Sequence, residues 1–113
     1  MDRPIILLND YQHEAMKTFI ATGDSDHTLA RLALGIAGEA GEIAEIVKKS
    51  MRGDYKLLHK GPELAKELGD VMWYVACFAS GLQKPLSEIA TLNINKLANR
   101  KERGVIQGSG SSR

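Results

Sequence analysis

Apolar residues recur every three or four positions along most of this chain, and no stretch alternates apolar and polar as a half-buried strand would. The clearest run is Leu64, Leu68, Val71, Val75 and Phe78, a stripe down one face of a helix that opens at Gly61-Pro62 and reaches about Ser80. Pro62 suits a first helical position, and Gly81 stops the run. A later helix of about Leu86 to Arg103 follows Pro85, with Leu86, Ile89, Ala90, Asn93, Ile94 and Leu97 in line and a polar break at Asn93. A long helix is predicted from about Leu29 to Met51, with Lys48, Lys49 and Arg52 where cations suit the dipole and Gly53-Asp54 as the break. The first helix is predicted from about Leu8 to Ala21, with Asn9 or Asp10 as its cap. Residues 22–28 read as a loop rich in N-caps, and Tyr55 to Lys60 as loop or helix.

Four amphipathic helices with short connections predict an all-α protein, an antiparallel four-helix bundle. At 113 residues the chain fits one domain, residues 1–104, followed by a Gly/Ser-rich tail, 105–113. So small a core makes association attractive, because each helix has a substantial apolar face. A homo-oligomer is expected, a tetramer in preference to a dimer.

Fifteen basic and fourteen acidic side chains give a net charge of +1, which supplies no whole-chain reason to expect a nucleic-acid or membrane partner. The single cysteine, Cys77, excludes an intrachain disulfide. The apolar run Ile5 to Leu8 is too short for a signal-peptide core or a membrane span, so a cytoplasmic location is expected.

The chemistry lies in four carboxylates. Glu39-Ala-Gly-Glu42 lies in the second helix and Glu67-Leu-Gly-Asp70 in the third, both among apolar neighbours. Residues three apart share a helix face, so each pair can aim two carboxylates at one point. If the helices are neighbours, the four groups repel unless protons or hard cations intervene. No histidine stands in either motif, which favours magnesium, with manganese as the alternative, over iron or zinc. A lone Glu-x-x-Glu is ordinarily a solvated face; two such pairs in apolar helices are harder to dismiss. Gly35, Gly38 and Gly41 line one side of the second helix, suiting close approach of a helix or ligand.

At Leu34 to Glu45 and at Glu67-Leu-Gly-Asp-Val-Met-Trp-Tyr74 the chain resembles the MazG-like all-α nucleoside triphosphate pyrophosphohydrolases. Their signature is Glu-x-x-Glu, a spacer, then Glu-x-x-Asp. Asn9-Asp-Tyr-Gln12 is similar to the family's opening helix and Asn93 to Gly104 to its closing one. The tail resembles those of short phage and bacterial members, with Ser111 and Ser112 where an acid and an asparagine are more usual. The resemblance implies hydrolysis of a (d)NTP to (d)NMP and pyrophosphate, with Glu39, Glu42, Glu67 and Asp70 as the catalytic, magnesium-holding groups. One of them would activate the attacking water.

Around this centre, Lys49 lies seven residues after Glu42 and serves either a phosphate or the helix dipole. Lys96, Arg100 and Arg103 follow at spacings of four and three, as a phosphate-facing stripe or a solvated basic face. Asn93 is a ligand contact or a satisfied buried amide, and Tyr74 matches the family's position near the sugar. Phosphoribosyl-ATP pyrophosphohydrolysis, a non-catalytic nucleotide-binding module and a DNA-binding helical protein are the rival readings.

Overall fold

The computed structural model describes residues 4–5 and 7–104; the tail at 105–113 lies outside the described residues. Its elements are α1 (Leu8–Met16), α2 (Ser25–Met51), a 3-10 turn (Leu57–Lys60), α3 (Gly61–Gly81) and α4 (Leu86–Arg103). The all-helical expectation is met: among the described residues there is no strand.

Local chemistry fixes most of the ends. The Asp24 carboxylate accepts the backbone N–H of His27 at 2.8 Å, starting α2 four residues earlier than the apolar pattern begins. Pro62 sits in the first turn of α3, and α4 runs from the residue after Pro85 to a left-handed cap at Gly104 (φ +73°). The ambiguous segment after Tyr55 becomes the 3-10 turn.

By contrast, α1 stops at Met16 and not near Ala21. The Trp73 indole donates to Ala15 O at 3.1 Å and to Thr18 Oγ1 at 2.8 Å, and Thr18 Oγ1 also bonds Ala15 O. That carbonyl is taken by side chains, and the next N–H groups reach back only three residues, from Lys17 to Glu14, Thr18 to Ala15 and Phe19 to Met16. The helix tightens and ends.

α2 packs along α3 and against the 3-10 turn; α1 packs on α3 and α4, and α4 also touches α3. Neither α1 nor α4 brings a Cα within 8 Å of α2. The helices therefore leave an open side beside α2, and the contacts do not complete the antiparallel four-helix bundle expected. The Cα radius of gyration, 16.7 Å, exceeds the roughly 13 Å of a compact chain this long.

Burial centres on small residues. Ala15, Leu32, Ala76, Cys77, Ala79 and Leu86 form the core, with Trp73, Phe78 and Ile89 among the half-buried side chains against it. The predicted α3 stripe is only half-buried, and Leu68 is 55% exposed. Leu34, Leu92 and Ile94 are also largely exposed.

Polar residues of α1 hold the other end of the molecule. Gln12, buried, shares its amide N–H groups among Ser80 Oγ, Lys84 O and Ala76 O, and its Oε1 accepts Leu86 N–H at 2.8 Å. Asn9 does not cap its own helix. Its Oδ1 accepts Ser87 N–H and its Nδ2 donates to Ser87 Oγ, both at 2.9 Å. Because α4 has no side-chain cap of its own, α1 supplies one from far away in sequence. Chemical denaturation of Asn9→Ala should show a loss of about 1 kcal/mol. Gln12→Leu should cost about 2–3 kcal/mol, since it strands the buried N–H of Leu86 as well.

Candidate metal and phosphate site

The face of α2 turned to α3 is centred on Leu32, Ile36, Glu39, Ile43 and Ile46, of which Leu32 is buried and the others half-buried. Glu39 thus stands in the middle of the helix contact, not on a solvated flank. Opposite it, Glu67 and Asp70 are half-buried on α3. One carboxylate oxygen from each of Glu39, Glu67 and Asp70 lies within 4.8 Å of the other two.

Like charges this close disfavour full ionisation. The Glu39 carboxyl is held above its ordinary value, first by a hydrogen bond with Glu67, then by desolvation and by the charges of Asp70, Glu67 and Glu42. Oε2 of Glu67 is buried with no hydrogen-bond partner, a costly position for a carboxylate oxygen unless something cationic approaches it. A cluster of hard oxygen donors with an orphaned buried lone pair fits a divalent cation such as magnesium.

Glu42 is exposed and stands outside the trio. Three residues at about 100° each leave it roughly 60° round the helix from Glu39, at the edge of the contact and near enough to raise the Glu39 pKa. Glu45 and Glu63 pair instead with Lys48 at 3.1 Å and Lys60 at 3.2 Å.

Glycine explains the approach of the helices at one position only. A Cβ at Gly35 would fall inside the ring of Tyr74, so this aromatic lies flat where any side chain on α2 would exclude it. Gly38 and Gly41, expected to share that role, face open space. Tyr74 lies one turn from both Asp70 on α3 and, through Gly35, Glu39 on α2, and stacks edge-on to Trp73 with ring centroids 5.1 Å apart.

The remaining candidates are dispersed. Lys49 is half-buried about 15 Å along α2 from Glu39. On α4, Lys96 and Arg103 are exposed, whereas Arg100 is 3% exposed, so the expected stripe of three differs in burial along its length. Arg103 Nε donates to Asn99 Oδ1 at 2.7 Å. Asn93 is exposed and borders a groove of about 310 Å³ lined by Tyr11, Val71, Val75 and Ile89. Tyr11 was not singled out by its spacing, yet burial, Cys77 and Asp70 together raise its phenol pKa, which puts it within electrostatic reach of the acidic trio.

A family model for the MazG nucleotide pyrophosphohydrolase domain matches residues 27–105, spanning α2, α3 and α4. The chain belongs to the MazG nucleotide pyrophosphohydrolase family. It is also 47% identical over 109 residues to the Gene 37 protein of Mycobacterium phage L5, covering 91% of this chain and 96% of that one. No solved structure matches. Among the described residues no helix is long and apolar enough to cross a membrane. The MazG match begins after α1, so the helix that caps α4 lies outside the matched segment while the whole acidic trio lies within it.

The raised Glu39 pKa has a measurable consequence for stability. Between the ordinary value of 4.5 and the raised one the folded chain keeps a proton that the unfolded chain has lost, so the contribution of Glu39 to metal-free stability is fully present below 4.5 and is lost as pH rises through the raised value. A divalent cation bound by the trio would take the proton's place, and its stabilising effect would grow over the same interval. Thermal melts from pH 4 to 8 should therefore show a magnesium-induced rise in Tm that increases with pH; a constant rise would count against the coupled trio.

Proposed function

We propose that this chain is a magnesium-dependent nucleoside triphosphate pyrophosphohydrolase that converts a (d)NTP and water to (d)NMP and pyrophosphate. The observation that carries the reading is the convergence of Glu39 with Glu67 and Asp70 across the α2–α3 contact in a MazG-family chain. Bound magnesium would neutralise the polyphosphate oxygens and lower the pKa of a coordinated water.

The protein's own groups divide the remaining work. Glu39, Glu67 and Asp70 hold the cation side of the site, and Glu42, at the exposed edge, completes the set from the solvent side. One of these carboxylates accepts the proton of the attacking water. The Tyr74 ring, fixed by Gly35, borders the cleft on the sugar side. Asn93 contacts the nucleotide, and Lys49, Lys96 and Arg103 supply cationic contacts to the phosphates, whereas Arg100, being buried, supports α4. The exposed Leu34, Leu68, Leu92 and Ile94 support a homo-oligomer, a tetramer before a dimer.

The test is pyrophosphate release from a panel of ribo- and deoxynucleoside triphosphates, with magnesium, with manganese and with chelator. Metal-dependent release from at least one nucleotide is expected. No release from any of them by folded protein would overturn the reading and direct attention to phosphoribosyl-ATP.

A further inference from the structure

The net charge of +1 hides a local separation. Residues 45–66, which hold the end of α2, the connector and the start of α3, carry six lysine and arginine side chains against three acidic ones, whereas the rest of the chain sums to −2. Each of those three acids has its base: Glu45 pairs with Lys48 at 3.1 Å, Asp54 with Arg52 at 2.8 Å and Glu63 with Lys60 at 3.2 Å. Lys49, Lys56 and Lys66 are the surplus, with Lys56 and Lys66 exposed. Two large aliphatic side chains stand among these cations. Leu58 is 92% exposed and Met51 84%, more than any other large apolar residue among the described residues. Their chain is nonetheless pinned. The 3-10 turn packs on both α2 and α3, and the Tyr55 hydroxyl donates to Ile46 O at 2.7 Å while Lys60 Nζ lies 4.6 Å from the centroid of its ring. From Met51 to Glu63 only Tyr55, Leu57 and Lys60 are half-buried, so this corner protrudes.

We infer that the corner docks on an anionic lipid surface, with Met51 and Leu58 entering the interface and the surplus lysines meeting the head groups. The inference does not depend on the hydrolase reading. The cations alone would suit any polyanion, and the two aliphatic side chains select among them. A nucleic-acid backbone offers no apolar phase for Met51 and Leu58, and Tyr55 is engaged within the fold and does not stand free to stack on a base. A bilayer supplies both partners, negative charge at its surface and hydrocarbon just beneath. Met51 lies about 18 Å along α2 from Glu39, so a docked chain keeps its acidic cleft away from the head groups that would repel it.

Flotation of folded protein with liposomes tests this. Vesicles of phosphatidylcholine with about a third phosphatidylserine should carry the protein, pure phosphatidylcholine should not, and added salt should release it. Leu58→Asn and Met51→Asn should each weaken the partition about tenfold. Lys56→Gln and Lys66→Gln should each weaken it about fivefold. All four changes fall on exposed side chains outside the acidic trio, so Tm and pyrophosphate release should stay at wild-type levels.

A second arm reads depth directly. Cys77 is 1% exposed, so a polarity-sensitive nitrobenzoxadiazole dye should label the introduced thiol of Leu58→Cys selectively in folded protein. Its emission should move to shorter wavelength on anionic vesicles. No flotation with anionic vesicles, flotation unchanged by the Leu58 and Met51 substitutions, or bound protein with no shift of the dye would overturn the inference. A DNA duplex that binds as tightly as the vesicles, with Lys56→Gln weakening both and Leu58→Asn neither, would make the corner a general polyanion face and overturn it as well.

Discussion

Replacing Glu67 by glutamine should lower magnesium-dependent pyrophosphate release by about a thousandfold, on the order of 4 kcal/mol of transition-state stabilisation. It should do so without unfolding the protein. Glu67 sits between Glu39 and Asp70 and carries the one buried, unpartnered oxygen of the trio. The amide has the same shape, removes a negative charge and can donate a hydrogen bond to Glu39. In metal-free protein the Tm should therefore stay level or rise, because a repulsion has been relieved. The rise in Tm on adding magnesium should shrink sharply. Paired assays of release and thermal stability check both halves. Activity within tenfold of wild type, or an undiminished magnesium effect on Tm, would remove Glu67 from the metal site.

Gly35→Ala should destabilise the chain by about 2–3 kcal/mol in chemical denaturation, although alanine is the better helix former. The added methyl would overlap the ring of Tyr74, so the ring or the helix must shift. Gly41→Ala is the matched control. It faces open space in the same helix, so the propensity gain of up to about 1 kcal/mol should appear there unopposed. Gly35→Ala combined with Tyr74→Ala should cost less than the sum of the two single changes, which a double-mutant cycle measures. Additive losses would mean that the ring and the glycine are not in contact. Catalysis should suffer in Gly35→Ala as well, since the displaced ring lies one helical turn from Glu39 and from Asp70.

Where punctuation is chemical, the helices were legible in the sequence. Pro85 and Gly104 bracket α4 as expected, and Gly61-Pro62 opens α3. The ends that moved are those set by other parts of the chain. Trp73, more than fifty residues away, occupies the carbonyl that would have carried α1 onward. Asn9 reads locally as a cap for its own helix but is used by α4, because hydrogen-bond partners distant in sequence leave no mark on periodicity. The acidic site was legible as two pairs at spacing three, and Glu39, Glu67 and Asp70 do converge. Spacing could not say which member of the α2 pair faces α3, since that depends on where the apolar face is centred. Nor could it show that Arg100 is buried while Lys96 and Arg103 are exposed. The glycines looked equivalent for the same reason, and only Gly35 proved to sit under a neighbour.

The chain has one tryptophan, and its position makes it an optical probe of two things at once. The indole N–H is tied to Ala15 in α1 and to Thr18 just beyond it, one side of the ring system meets Phe19 with centroids 6.2 Å apart, and another meets Tyr74, the ring lodged against α2. Release of α1 would free the indole N–H to water and shift the emission to longer wavelength. A rearrangement of Tyr74 as the cleft fills would instead change its intensity with little change in colour. A single unlabelled fluorescence trace can therefore separate loosening of α1 from events in the acidic cleft.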